Sequence, residues 1–345
     1  MKKQNDYFSG KTILVTGGTG SIGSEIVRRL LPSTPKSIRI FSNDEDAQFN
    51  FYQEMGPKEN VRFLLGDIRD KDRLKRAVEG VDVVFHAAAF KHVPACEYNT
   101  FEAVQTNVIG TQNLIEVSMD EEVEKFVTIS TDKATSPINV LGASKLLAER
   151  LTVSANYYKG DKRTAFCCVR FGNVLASRGS VIPIFLRQIQ KGGPVTVTDP
   201  NMTRFVMSIP QSVDLVLKAA VMAQGGENFI FKMPALKIGD LAKVMVEEFA
   251  SKSGFKPKNI EIKKIGLRQG EKFHEELMTE EEARWAYETP EMFIIYDQVE
   301  IPNLKRSEHV NINAKKVSKT TKYSSDSGEL LSNEEIREIL HRSVE

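Results

Sequence analysis

The chain has 345 residues, room for one large α/β domain with an appendage or for two domains. It is 41% hydrophobic and 27% charged, the composition of a soluble globular protein, and a formal net charge of +1 without a basic block excludes an electrostatic footprint for nucleic acid. No run of eighteen apolar residues offers a membrane span, the first ten residues lack the apolar core of a secretory signal, and three cysteines (Cys96, Cys167, Cys168) make no disulfide framework. These features point to a reducing compartment, and the reading is cytoplasmic.

In chain order, Thr12–Thr16 is a short β-branched strand, followed at once by Gly17-Gly-Thr-Gly-Ser-Ile-Gly23. Ser24 to Leu31 then has helical spacing, with Ile26, Val27, Leu30 and Leu31 apolar. Strand, glycine-rich turn and helix make the setting a dinucleotide fingerprint requires, because glycines let the backbone approach a pyrophosphate and the helix start favours its charge. Gly17, Thr19, Gly20, Ser21, Ile22 and Gly23 are therefore candidate cofactor contacts. Strands are expected at Ser37–Phe41, Val61–Leu65, Val81–His86 and Phe126–Ile129, with helices near 45–55, 70–79 and 98–119. Repeated βα units of this length predict a doubly wound parallel sheet.

The end of the second strand reads Ser42-Asn43-Asp44-Glu45, where a carboxylate selects NAD and an arginine NADP; without an arginine both remain open. Asp67, with Ile68 beside it, is placed either to accept from an adenine amino group or to cap the next helix. After the fourth strand, Ala87-Ala88-Ala89 leave room for a flat ring or a ribose. Lys91 offers a cation to an anionic or hydroxyl-rich substrate, while His92 is equally a loop histidine.

The fifth strand ends in Ser130-Thr131-Asp132-Lys133, and a turn at Ser136-Pro137 leads into a helix from Gly142 that brings Lys145 back to the same place. An acid, an amine and a second lysine thus converge where the ligand of an open α/β sheet sits. The alternative is a solvated loop with an incidental Asp132–Lys133 pair. A sixth strand from Ala165 ends at Asn173, which can donate and accept hydrogen bonds. A loop at Arg178 precedes a helix near Ile184–Lys191, Val195–Thr198 is a strand, and Arg204 follows with a planar fork suited to a diphosphate or to a surface ion pair. Helices are expected at Ile209–Ala220 and Leu241–Phe249, and a strand at Asn228–Met233. From Ile301 the chain turns polar, Lys322–Gly328 is serine-rich, and Asn333 caps a last helix, Glu334–His341.

The stretches Thr16–Gly23, Ala88–Val93, Ser130–Ala134, Arg170–Val174, Ser177–Pro183, Thr198–Phe205 and Arg268–Lys272 together resemble the extended short-chain dehydrogenases/reductases. More narrowly, they resemble the UDP-N-acetylglucosamine 4,6-dehydratases of polysaccharide biosynthesis, over about residues 10 to 280. The resemblance implies a Rossmann-type dinucleotide domain over 10–180, a mainly substrate-binding subdomain over 181–300 and an extension over 301–345. It implies a recycled NADP or NAD, a UDP-sugar substrate, a homo-oligomer and no metal. Lys133 would remove the C5 proton and Asp132 protonate the departing C6 hydroxyl, with Thr131 and Lys145 completing the catalytic group. Lys133 would need a lowered pKa, from burial or from cationic neighbours such as Lys145. Lys91, His92, Asn173, Arg178, Ser180, Val181, Thr196, Arg204, Arg268 and Glu271 would hold the nucleotide sugar. Two positions depart from the pattern. Leu141 stands where the superfamily's tyrosine pairs with Lys145, although longer members of the narrower family carry an apolar methionine there. Asn43 stands where many relatives carry arginine. A nucleotide-sugar 4-epimerase and a non-catalytic dinucleotide-binding protein are the competing readings.

Overall fold

The computed structural model of the chain describes residues 6–296, 314–318 and 321–344. Six short apolar runs form β1 (Thr12–Thr16), β2 (Ser37–Ser42), β3 (Val61–Leu65), β4 (Val83–His86), β5 (Lys125–Thr131) and β6 (Ala165–Phe171). They lie parallel in the order β3-β2-β1-β4-β5-β6. β1, β4, β5 and β6 are buried along nearly their whole length, which is why they read as near-continuous apolar runs, while β3 at the sheet edge buries only Val61. The chain winds outward from β1 to β3, then restarts beside β1 with β4. This reversal opens a crevice at the carboxyl ends of β1 and β4.

The remaining strands are β7 (Asn173–Val174), β8 (Val195–Val197), β9 (Thr203–Met207), β10 (Glu227–Phe231), β11 (Ala235–Lys237), β12 (Ile262–Lys264), β13 (Glu276–Met278), β14 (Ala286–Glu288), β15 (Met292–Tyr296), β16 (Lys315–Lys316) and β17 (Tyr323–Ser324). β10 joins β6 in parallel, and β15, β14 and β16 extend the same sheet antiparallel to ten strands. The expected parallel sheet is therefore present with an antiparallel margin that alternation of strands and helices gave no reason to expect. Three small sheets, β7–β9–β11, β8–β12 and β13–β17, stand over the carboxyl side. Val195 and Val197 of β8, Val206 of β9 and Leu236 of β11 share a core with Ile182, Phe185, Leu241 and Met245 and with Ile336 and Leu340 of the last helix, while Leu277 and Met278 of β13 pack in the core of the main sheet.

Three local expectations change. The helix expected over 98–119 is broken into Val93–Tyr98, Thr100–Val104 and Gly110–Asp120, with a π-helical turn at Gln105–Ile109. The last helix spans Asn333–Val344, and its cap is Ser332: the Ser332 hydroxyl accepts from the Glu335 amide, and the Glu335 carboxylate accepts from the Ser332 amide. The first part of the polar stretch expected from Ile301 lies outside the described residues. The serine-rich stretch is folded, since Tyr323–Ser324 pairs with β13.

Candidate active site

Two adjoining cavities lie at the carboxyl ends of the parallel strands. The larger, of 740 Å³, is lined by Gly17, Thr19, Gly20, Ser21, Ile22 and Gly23, by Ser42 and Asn43, by Asp67 and Ile68, by Ala87, Ala88 and Ala89, and by Thr131 and Lys145. Every residue read as a cofactor contact is thus on one wall or another of a single cleft. The smaller, of 350 Å³, is lined by Asp132, Lys91, His92, Asn173, Ser180, Val181, Thr196, Arg204, Arg268 and Glu271. Lys133, Lys91, Asn173 and Ser180 border both, so the two spaces meet at the end of β5.

The glycine turn owes its shape to close packing. Gly17 has φ +64° and an added Cβ would sit 2.7 Å from the Ala88 amide nitrogen; at Gly23 it would sit 2.3 Å from the Gly17 carbonyl oxygen. At Gly20 the nearest atom is the Gly17 oxygen at 3.1 Å, so this glycine keeps open the space above the helix start, not the turn itself. His86, at the end of β4, is fully buried between the Thr16 and Thr111 hydroxyls at 2.8 and 2.9 Å, and burial pushes its imidazole down to about 3. In the π-turn, the Asn107 carboxamide accepts from the Phe90 amide and donates to the Phe90 carbonyl and the Ser144 hydroxyl. It ties the loop after β4 to the helix carrying Lys145, a role that no sequence pattern announced.

At the rim, Asp67 is engaged by the Arg69 guanidinium at 2.7 Å and by the Asn43 amide at 3.2 Å, and hydrogen bonds from Arg69 hold its carboxyl below the usual range. The helix-cap alternative for Asp67 fails, because Asp70 accepts from the Arg73 amide and fills that role. Arg69, missed in the sequence, brings a guanidinium to the cleft, but Asp67 and Glu102 take up its donors.

Around β5, Asp132 is 2% exposed and hydrogen-bonded by the Thr131 hydroxyl at 2.6 Å, and Lys133 Nζ lies 3.1 and 3.2 Å from its two oxygens. Burial alone would raise the Asp132 carboxyl, but the Lys133 charge and the hydrogen bonds from Thr131 and Glu275 outweigh it and hold it below its ordinary value. The expectation for Lys133 is reversed. Burial lowers it, but Asp132 and Glu275 together raise it above an ordinary lysine, and the cation facing it is Arg204, not Lys145. Lys145 is buried, donates to the Ile129 carbonyl at 2.5 Å, and is pushed by burial down to about 8. Leu141 packs with Cys96 and Ala103, so the place of the usual tyrosine is an apolar patch beside the cleft.

Two arginines sit differently from the expectation. Arg178 borders the larger cleft alone: its guanidinium donates to the Thr19 carbonyl at 2.6 Å and its amide to the Ser21 hydroxyl at 3.1 Å, while its own carbonyl accepts from Lys91. Arg204 reaches the smaller cavity, but its donors are occupied by Glu275, Glu271 and the Thr203, Lys272 and Phe273 carbonyls. It brackets the 271–275 loop. Among the described residues no carboxylate pairs with the exposed Arg268. Thr196 exchanges hydrogen bonds with the Gln188 carboxamide, and His92 packs its ring against Gly179.

Glu275, absent from the sequence reading, is 5% exposed and borders the same cavity as Asp132. Its segment is fastened from below by Arg170, a fully buried guanidinium in β6 that donates to Glu149, Glu282 and the Leu277 carbonyl. The only sequence signal was a charged residue inside an otherwise apolar strand. Of the seven buried side-chain polar atoms that find no partner among the described residues, three, Ser130 Oγ, Ser180 Oγ and Glu271 Oε2, belong to residues that border these cavities. Orphan polar atoms on cavity walls are what ligand oxygens and hydroxyls would satisfy.

This fold and this pair of cavities are those of an extended short-chain dehydrogenase/reductase. The chain belongs to the polysaccharide biosynthesis protein family, whose model matches residues 13–297. An uncharacterized membrane protein of Methanocaldococcus jannaschii is 63% identical over 85% of this chain and 87% of its own length. A UDP-glucose 4-epimerase of Rickettsia rickettsii is 40% identical over 96% of both chains. The X-ray structure of Pen from Bacillus thuringiensis superposes with a TM-score of 0.91 at 45% identity, covering 98% of this chain and 99% of that one. The dTDP-glucose 4,6-dehydratase DesIV of Streptomyces venezuelae, crystallised with NAD, shares the fold at a TM-score of 0.67 and 24% identity, over 76% of this chain and 86% of its own. Among the described residues no helix is long and apolar enough to cross a membrane, and no three or more His, Cys, Asp or Glu side chains are grouped as metal ligands.

Proposed function

We propose that the protein is a nucleotide-sugar 4,6-dehydratase acting on UDP-N-acetylglucosamine. The observation that carries this reading is the pair of a buried Asp132 and a half-buried Lys133 at the junction of the two cavities. A 4-epimerase needs redox chemistry at C4 alone and has no use for it. NAD or NADP suits the larger cleft, held by the Gly17–Gly23 turn, the Ala87–Ala89 loop and Lys145; when bound it takes up hydride from C4 and returns it to C6. The sugar diphosphate suits the start of helix Val181–Gln190, where free amide groups and the orphan Ser180 hydroxyl favour an anion, with Arg268 and Lys91 as cations nearby.

With no tyrosine at Leu141, Asp132 takes the proton of the C4 hydroxyl, directly or through Thr131. The 4-ketone then acidifies C5. Lys133 removes that proton, and Asp132, now neutral, protonates the C6 oxygen as it leaves. The proton lost at C4 so reappears in the water released. Lys133 can act as a base only after Asp132 has been neutralised, since the carboxylates facing it hold it as an ammonium ion. Lys145 orients the cofactor ribose and adds positive charge.

Incubation with UDP-N-acetylglucosamine followed by mass spectrometry tests the reading: loss of one water supports it. The 4-epimerase name of a relative at 40% identity keeps epimerisation as the second reading, and a product of unchanged mass inverted at C4 would establish that instead. Asp132→Asn should lose both hydride transfer and water loss, and Lys133→Ala should stop C5 exchange while leaving cofactor reduction. Each is expected to lower the rate by roughly a hundredfold or more. A single turnover in deuterated water, following cofactor absorbance and C5 labelling together, separates them.

A further inference from the structure

We infer that Glu275 is a positioning residue for the Asp132–Lys133 pair: it shares one proton with Asp132, and the position of that proton sets whether Lys133 is held as an ammonium ion. The chemical consequence rests on the dehydratase reading; the shared proton rests on the placement of two buried carboxyls around one ammonium group.

Glu275 and Asp132 are both buried, border the same cavity and flank the same ammonium group, Lys133 Nζ. Glu275 Oε1 lies 3.6 Å from Lys133 Nζ and 3.3 Å from Arg204 Nε, and Oε2 accepts from the Asn173 carboxamide at 2.7 Å. Lys272 faces the group from the loop, and the His274–Asp326 pair lies just beyond it. The backbone is fixed on the other side, where the Glu275 amide donates to the Ser325 hydroxyl at 2.9 Å and the Glu275 carbonyl accepts from the Ser325 amide at 2.8 Å. The backbone contacts fix where the side chain starts, and Asn173, Lys133 and Arg204 fix where its carboxyl lies.

Two carboxylates in one dry site do not readily ionise together. Burial and then the Asp132 charge push Glu275 up to about 7, while Asp132 is held low. Around neutrality the shared proton rests on Glu275. When Asp132 then takes the C4 proton, both carboxyls are neutral and Lys133 faces no anion there. Burial and Arg204 favour its amine, and its proton leaves by its exposed face, which amounts to 29% of the side chain. The amine takes the C5 proton, the C5–H electron pair forms the C5–C6 double bond, and the C6–O bond breaks with its pair on oxygen. Asp132 supplies the proton that completes water. Lys133 returns a proton to C5 after hydride reaches C6, and Glu275 keeps its own throughout. With Glu275 ionised, one carboxylate always remains against Lys133 and the base is not released.

The full-length protein carrying 13C at the glutamate carboxyl carbon is titrated by NMR without sugar. One resonance should titrate near pH 7, vanish in Glu275→Gln, and move down by at least one pH unit in Asp132→Asn. A Glu275 midpoint in the ordinary carboxylate range, or one unmoved by Asp132→Asn, overturns the proposal whatever reaction the enzyme catalyses. With sugar, C5 exchange in the parent should fall as pH rises through 7. Glu275→Gln, which mimics the protonated form, should flatten that limb; the same alkaline limb in parent and Glu275→Gln would also overturn it. A parent that titrates as expected but releases no water refutes the dehydratase reading and leaves the shared proton standing.

Discussion

The cleft proposed for the dinucleotide and the cavity proposed for the sugar are built on opposite principles. The first comes mostly from short segments at successive strand ends, each shaped by its own residues: three glycines, three alanines, one strand terminus. The second is drawn from residues far apart in sequence. Asp132, Asn173, Arg204 and Glu275 converge only because β9, β13 and β17 are stacked over the sheet, and charged pairs decide what each can do. A local motif can carry a cleft of the first kind intact into a new chain. The second kind depends on a guanidinium such as Arg204, whose donors are spent on holding a loop in place.

The sharpest test of this contrast is Gly20→Val. Its Cβ meets only the Gly17 oxygen, at 3.1 Å, a contact that a shift of a few tenths of an ångström relieves, and the rest of the side chain fills the space above the helix start, so dinucleotide binding should be lost with the fold retained, as seen by calorimetry and circular dichroism together. Gly23→Ala, which drives a Cβ to 2.3 Å from the Gly17 oxygen, should damage the turn itself. Binding by Gly20→Val equal to the parent would break the comparison.

The two regions should also respond to pH in opposite senses. His86 is neutral when folded, so its contribution is complete above pH 6.5 and is lost as the pH falls toward 3. The full loss is roughly 4–5 kcal/mol, since each tenfold change in proton affinity is worth about 1.36 kcal/mol. Glu275 has a raised carboxyl, so its contribution is complete below pH 4.5 and is lost as the pH rises through 7. Stability measured against pH should show the acid slope flattened in His86→Leu and the near-neutral slope flattened in Glu275→Gln.

Beneath the sugar-side cavity, Arg170→Met should lower stability to chemical denaturation by about 3–5 kcal/mol, since it strands Glu149 and Glu282 in the interior. An unaffected midpoint would show that the 275–282 segment does not depend on this anchor. The smallest effect belongs to the rim of the dinucleotide cleft. Asn43→Arg should shift preference toward NADP by ~1.5–3 kcal/mol through a charge-assisted contact. A parent already binding NADP more than about a hundredfold tighter than NAD, a difference of ~2.7 kcal/mol, would defeat the argument from Asn43.

What the sequence by itself determined is the part governed by local chemistry. Apolar runs of four to seven residues specify buried parallel strands, the spacing of Gly17, Gly20 and Gly23 specifies a turn open to a pyrophosphate, and Asp132–Lys133 at a strand end marks where the two cavities meet. What only the tertiary structure decided is how charges are shared among residues distant in sequence. The protonation of Lys133 depends on Glu275, 142 positions away by number; Arg178 turns toward the glycine loop because Thr19 and Ser21 present acceptors there; Arg204 is consumed by the loop that it holds. Hydrophobic periodicity records which face of a strand is buried, and it does so residue by residue. A pKa records every charge within a few ångströms, and those neighbours exist only once the chain has folded.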